Sequence, residues 1–173
     1  MRVVIAVASR HGATRELAQW IAKSLLDTFA RSGTNATVDV RNAEDVDSIA
    51  EYDAAIIGSG VYMGRWLRDA RELVAREQEA LESRPVWLFS SGPIGASGSS
   101  ATKSSLDTVP WAVEHHTFGG KLDRSTLSTR ERLVVRLIRA HDGDDRSHAD
   151  VETWARAIGT HLAASTPTIP TPS

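Results

Sequence analysis

Ser9-Arg10-His11-Gly12-Ala13-Thr14 is the first stretch whose residue types and spacing suit chemistry. It follows an apolar run, Val3 to Val7, and leads into a helical repeat of apolar residues. A small-residue loop placed there sits at a helix N-terminus, where backbone N–H groups without intrahelical partners and the positive end of the helix dipole attract anions. The Ser9 and Thr14 hydroxyls add donors, Gly12 lets the backbone approach an anion closely, and Arg10 and His11 supply charge. The chemistry implied is the anchoring of a phosphorylated cofactor whose other end these residues do not specify.

Two further runs have related composition. Ser59-Gly60-Val61-Tyr62-Met63-Gly64 follows the apolar Ala54 to Gly58, and Ser90-Ser91-Gly92-Pro93-Ile94-Gly95 follows Val86 to Phe89. Their glycines and serines read as loops and not as continued strand or helix. If the three apolar runs are strands of one parallel sheet, the loops meet at its C-terminal edge, where ligands bind in open α/β sheets. The first loop would then take a phosphate, and the other two a flat heterocycle, with Tyr62 and Trp66 as stacking rings. His115, His116, His141 and His148 have no spacing that suits one metal geometry, so no metal site is expected. No catalytic side chain is assigned, and the cofactor would carry the reaction.

The elements that must position these residues follow from periodicity. Val3 to Val7 reads as the central strand, buried on both faces. Leu17, Ala18, Ile21, Ala22, Leu25, Leu26 and Phe29 recur at helical spacing, placing a helix over 13–32 that ends at Ser32-Gly33. Ala36 to Val40 alternates as an edge-side strand, and Ala54 to Gly58 is a third strand. A helix is expected from Trp66 to Ser83, stopped by Pro85, and Val86 to Phe89 is the fourth strand. The last strand falls within Trp111 to Phe118. Ala96 to Ser105 reads as a flexible loop and Leu127 to Arg139 as an amphipathic helix. A final helix capped by Asp150 presents Val151, Trp154, Ala157, Ile158 and Leu162. Trp20, Trp87 and Trp154 sit on apolar faces and are assigned to packing. The pattern predicts an α/β domain over 1–164, a doubly wound parallel sheet with right-handed crossovers, and a disordered Pro/Thr-rich tail over 165–173.

A chain of 173 residues suits one domain. It has no cysteine, which excludes disulfides, thiolate catalysis and cysteine-ligated metals. A net charge of -2 argues against nucleic-acid binding and against a strongly acidic electron carrier. With no long uncharged apolar segment and no cleavable signal pattern, the expectation is a cytoplasmic protein. Peripheral membrane contact would run through the arginines of Leu127 to Arg139, namely Arg130, Arg132, Arg136 and Arg139.

On these residues the chain resembles the flavodoxin-like family, and within it the branch that includes the menaquinone-dependent protoporphyrinogen oxidases of bacteria. The resemblance is carried by the hydroxyl-x-x-Gly-x-Thr loop of Ser9 to Thr14 continuing as Thr14-Arg15-Glu16-Leu17-Ala18. Tyr52-Asp53 before the third strand and Ile57-Gly58-Ser59-Gly60-Val61-Tyr62-Met63-Gly64 complete it. It covers the chain to about residue 95 and returns near Trp154 to Ile158. The resemblance implies a five-stranded sheet in the order 2-1-3-4-5 with helices on both faces and a helical insertion before the last helix. It also implies that Ser9 to Thr14 hold the FMN phosphate, that Ser59 to Gly64 and Ser90 to Gly95 embrace the isoalloxazine, and that the protein is a flavin-dependent oxidoreductase or electron-transfer domain.

In that branch the insertion is associated with membrane or quinone contact. Lys121 to His141 occupies its place, but Asp123-Arg124-Ser125-Thr126-Leu127-Ser128 stands where aromatic and basic residues are expected. A redox partner protein, a quinone or a small molecule would be the reaction partner. Two alternatives use the same fold: hydride transfer with a deazaflavin of the coenzyme-420 type, and a cofactor-free interaction protein. A response-regulator-like signalling domain is excluded, because Ser9-Arg10 and Gly58-Ser59 stand where its acidic pair and phosphorylated aspartate belong.

Overall fold

The computed structural model describes residues 1–92, 109–119, 121–122, 143–144 and 147–165. In chain order the elements are β1 (Arg2–Ala8), α1 (Ala13–Ser32), β2 (Thr37–Asn42), a 3-10 turn (Ala43–Asp45), β3 (Ala54–Tyr62), β4 (Arg65–Trp66), α2 (Arg68–Arg76) and α3 (Gln78–Glu82). β5 (Val86–Gly92), β6 (Glu114–Gly119), β7 (Lys121–Leu122), β8 (Gly143–Asp144) and α4 (His148–Ser165) follow. The strands β2-β1-β3-β5-β6 pair in parallel in that order, which is the expected 2-1-3-4-5 arrangement of five principal strands. β4 adds to β3 in antiparallel sense, and β7 pairs with β8 apart from the main sheet.

β1 is buried from Val3 to Ala8 because both its faces are covered. Val3, Ile5 and Val7 pack with Leu17, Ile21, Leu25 and Phe29 of α1 and with Val151, Ile158 and Leu162 of α4. Val4, Ala6 and Ala8 pack with Ala70, Leu73, Val74 and Leu81 on the opposite side. Alternation along a strand thus divides one apolar run between two cores. α1 ends where expected: Gly33 is left-handed, its N–H meets the Ala30 carbonyl, and the Thr34 N–H meets the Phe29 carbonyl, the paired bonds of a Schellman cap. α4 crosses α1 closely at Gly159, where a Cβ would stand 2.9 Å from Thr28 Cγ2.

The connection from β2 to β3 buries Val46 and Ile49 and is clamped by α2, α3 and the residues after them. Arg76 bonds the Val46 carbonyl, the Glu77 carboxylate accepts the Ile49 N–H at 2.9 Å, and Arg84 donates to the Ile49 carbonyl at 2.6 Å and to that of Tyr52.

Several boundaries differ from the sequence expectation. The third strand runs to Tyr62 instead of stopping at Gly58, because Gly58 and Gly60 serve close packing within the strand and make no turn. The single helix expected from Trp66 to Ser83 is divided: Arg65–Trp66 joins β3, and the helix breaks at Glu77 into α2 and α3. The last principal strand begins at Glu114, three residues after Trp111. Ser147, not Asp150, caps the final helix, its hydroxyl accepting the Asp150 N–H at 3.2 Å, and α4 extends to Ser165. The Ala96 to Ser105 loop, the Leu127 to Arg139 helix and the tail beyond Ser165 lie outside the described residues.

Candidate functional site

Ala8, Ser59 and Ser90 stand side by side in register across β1, β3 and β5. The chain segments that follow them therefore start from one edge of the sheet.

The first segment leads into α1. Ser9 and Ala13 are half-buried, while Arg10, His11 and Gly12 are exposed. Gly12 precedes the first helical residue with φ +85, a left-handed conformation that suits glycine, and it has no side chain to cap the helix. The Glu16 N–H closes the first turn on the Gly12 carbonyl at 3.0 Å. Thr14 is only 3% exposed, and its Oγ1 lies 3.3 Å from where a Gly60 Cβ would stand, so the bare Gly60 allows the helix start and β3 to approach. Arg15 bonds Asn42 Oδ1 and ties α1 to the end of β2.

The second segment is a hairpin. Tyr62 pairs with Arg65, and the intervening Met63 and Gly64 have φ 50 and 74. Positive φ at both central residues is what a two-residue type I′ reversal requires, and Met63 accepts it without being glycine. Met63 is 74% exposed at the tip. Tyr62 is half-buried, and Arg10 Cζ sits 5.0 Å over its ring, so the first and second segments touch.

Beneath them lies a buried polar layer. Ser59 Oγ donates to the Gly60 carbonyl at 2.8 Å and accepts the Leu67 N–H at 2.9 Å, fixing the return of the hairpin. The Trp66 indole N–H donates to Ser90 Oγ at 2.8 Å, and His115 Nε2 lies 2.9 Å from the same oxygen. The Trp66 and His115 rings meet edge-to-face at 5.7 Å.

The sequence-selected residues therefore separate into two groups. Ser9 through Ala13, Gly60, Val61, Tyr62, Met63 and Gly64 form the helix start, the strand end and the hairpin at its surface, with Thr14 buried behind them against Gly60. Ser59, Ser90 and Trp66 turn inward, at 0%, 1% and 2% exposure. The stacking role expected of Trp66 is thus corrected: its ring has no face at the surface and acts as a strut under the hairpin. Ser91 is buried within β5, and a Cβ on Gly92 would stand 3.3 Å from Val61 Cβ, which brings the end of β5 against β3. Pro93, Ile94 and Gly95 lie outside the described residues.

His115 joins this layer from β6 although nothing in its local sequence distinguishes it from His116. His116 instead reaches Asp150 at 3.3 Å and its ring lies 5.4 Å from that of Trp154, linking β6 to α4. Among the described residues no group of three or more histidines, aspartates and glutamates is arranged to hold a metal ion. No helix among them is long and apolar enough to cross a membrane.

The family profile described as the flavodoxin domain matches residues 4–148 of the chain. A flavodoxin from the domain Archaea is 14% identical with a TM-score of 0.53, the alignment covering 95% of this chain and 97% of that one. Rubredoxin oxygen:oxidoreductase from Desulfovibrio gigas is 14% identical with a TM-score of 0.57, covering 94% of this chain but only 36% of the larger protein. An NADH:FMN oxidoreductase in its apo form is 18% identical with a TM-score of 0.54, covering 98% and 91%. At such identities the likeness is one of fold. No protein of curated function matches the sequence.

Proposed function

The chain belongs to the flavodoxin domain family, and from that premise we propose that it is a flavin-dependent redox protein that binds FMN at the C-terminal edge of its sheet. The observation that carries this reading is the meeting of the helix start with the end of β3: Thr14 beside Gly60, and Arg10 over Tyr62. A phosphate seat and an aromatic face on one sheet edge suit a ligand with an anion at one end and a flat ring at the other.

The residues fit such a group. Nothing lies within 4 Å of a Cβ built on Gly12, which leaves open space at that end of α1. In this reading Ser9 to Thr14 hold the phosphate, and Tyr62, Met63 and Gly64 face the ring. Ser59, Trp66 and Ser90 hold the hairpin and β5 in place from below. When bound, the flavin supplies the electron-transfer chemistry, and the chain supplies anchoring, orientation and electrostatics.

Within this reading the chain acts as an oxidoreductase or a dedicated electron-transfer domain. The run Thr14 to Ala18 supports kinship with the protoporphyrinogen oxidase branch, while Asp123 to Ser128 argues against its quinone and porphyrin chemistry. Flotation with anionic liposomes, comparing wild type with a variant neutralised at Arg132, Arg136 and Arg139, tests the proposed membrane contact. The cofactor is tested by the visible spectrum of the purified protein and by titration with FMN and a coenzyme-420-type deazaflavin. FMN binding with quenched fluorescence is the expected result. Preference for the deazaflavin would replace the cofactor, and binding of neither would leave an interaction protein.

A further inference from the structure

β2 is the outer strand at one end of the sheet, and among the described residues no element pairs with its far side. Thr37 donates its N–H to the Met1 carbonyl at 3.0 Å, which fixes the residues of the strand that face inward. Backbone groups of successive strand residues aim to opposite sides, so Thr37, Asp39 and Arg41 bond β1 while Val38 and Val40 turn their N–H and C=O to the open edge. Such a row is a template for another strand.

Charges on an edge strand ordinarily deter that pairing. Arg41 is exposed and pairs with no carboxylate among the described residues, while Asp39 meets Arg2 in a long, exposed ion pair of 3.7 Å. Against a second copy laid antiparallel and centred on Val40, these charges become complementary: Asp39 of each copy stands opposite Arg41 of the other. Val40 then exchanges both its backbone hydrogen bonds with Val40 of the other copy, and the charged pairs fall at the positions between bonds, where opposed side chains come closest. Centring on Asp39 or on Arg41 sets like charges opposite each other, which is disfavoured. The two charges thus reject those registers and favour one.

Two six-residue strands alone bury too little for a stable dimer, so α1 must contribute. α1 packs on the sheet face that carries Val38 and Val40. Its Thr28 meets Gly159 of α4, whereas its Arg15 reaches Asn42 of β2. Ala22 and Leu26 follow Arg15 by about two and three helical turns and share its side, toward β2 and away from Thr28. Leu26 is 43% exposed there. Ala22 and Ala30, one turn to either side of it, are small enough to let a second helix approach.

We propose that the chain pairs with a second copy of itself through β2 and the Leu26 side of α1, forming a two-fold dimer with one sheet continuous across both copies. Because β2 runs antiparallel to its copy, the C-terminal edges of the two sheets point in opposite directions. Both candidate sites stay open, at opposite ends of the dimer.

Sedimentation equilibrium measures the association, and a reversible monomer–dimer equilibrium is the expected result. Asp39→Arg and Arg41→Asp should each weaken it about tenfold, because each sets two like-charged pairs across the two-fold axis. Mixed in equal amounts, the two single variants should form a heterodimer about as tight as the wild-type dimer, since every opposed pair is again of opposite sign. The combined Asp39→Arg/Arg41→Asp variant should regain most of the wild-type affinity, and Leu26→Glu should lower it. Urea midpoints close to that of the wild type show that these surface variants are folded. A wild type that stays monomeric at its highest soluble concentration overturns the proposal. A dimer indifferent to the single exchanges, or one that neither the mixture nor the combined variant restores, assigns the contact to another surface and overturns it as well.

Discussion

Phe89 lies across Gly58: the two are register partners between β3 and β5, and a Cβ on residue 58 would stand 2.0 Å from Phe89 Cζ. Both positions are fully buried, so the ring has no outlet toward solvent. Gly58→Ala should therefore destabilise the protein by about 2–3 kcal/mol, the upper part of the range for overpacking. A lowered urea midpoint measures it. Phe89→Leu in the same chain should recover part of the loss, giving a coupled double-mutant cycle where independent sites would add.

Gly58 also shows why parts of the fold were legible in the sequence and others were not. β1 and α1 could be read because their signals are local: continuous apolar residues for a strand covered on both faces, and a 3.6-residue period ending at Gly33. A glycine-rich run carries two meanings that composition cannot separate. Here Gly58 admits a ring and Gly60 admits Thr14, whereas the reversal occurs at Met63-Gly64. The inward turn of Trp66 depends on pairing with β3 and on Ser90, 24 residues away. The Arg10–Tyr62 contact likewise joins loops distant in sequence, and each residue alone suggested only its own half of the site.

The Trp66–Ser90 bond yields a second prediction. Trp66→Phe keeps most of the packed ring but removes the donor, leaving Ser90 Oγ with His115. The cost should be about 1–2 kcal/mol for a buried hydrogen bond. Trp66→Ala should cost about 3–5 kcal/mol because it also opens a cavity under the hairpin. Urea unfolding orders the two variants, and equal losses would mean that packing contributes nothing beyond the bond.

At the helix start, conformation and charge can be separated. Gly12 has room for a Cβ but a φ of +85, so Gly12→Ala should lose about 1 kcal/mol of stability through backbone strain. Gly12→Asp adds a negative charge where the phosphate is proposed to sit. Its FMN affinity should fall about tenfold below that of Gly12→Ala, as expected for about 1.4 kcal/mol of added repulsion, while the two variants bind riboflavin alike. Thr14→Ala should weaken FMN binding as well. Fluorescence quenching reads all of these, and unchanged affinity in Gly12→Asp would remove this loop from the phosphate site.

Glu77 gives a prediction in pH. Its side chain is 11% exposed; burial pushes its pKa up, but the Ile49 N–H, the Arg76 guanidinium and the Ser48 hydroxyl together hold it below the ordinary value of 4.5. A folded-state pKa below the unfolded one means that the folded chain binds protons less readily. The stabilisation is therefore complete above about pH 4.5 and is lost as pH falls through the folded value. Glu77→Gln retains an oxygen for the Ile49 N–H but not the charge that strengthens this bond and the one to Arg76. At pH 7 it should be about 1 kcal/mol less stable than wild type. The difference should shrink on acidification through that window, since protonation gives the wild type a neutral side chain too. Urea midpoints at stepped pH measure it, and a gap that stays constant down to full protonation would show that Glu77 holds the β2–β3 connection by shape and not by charge.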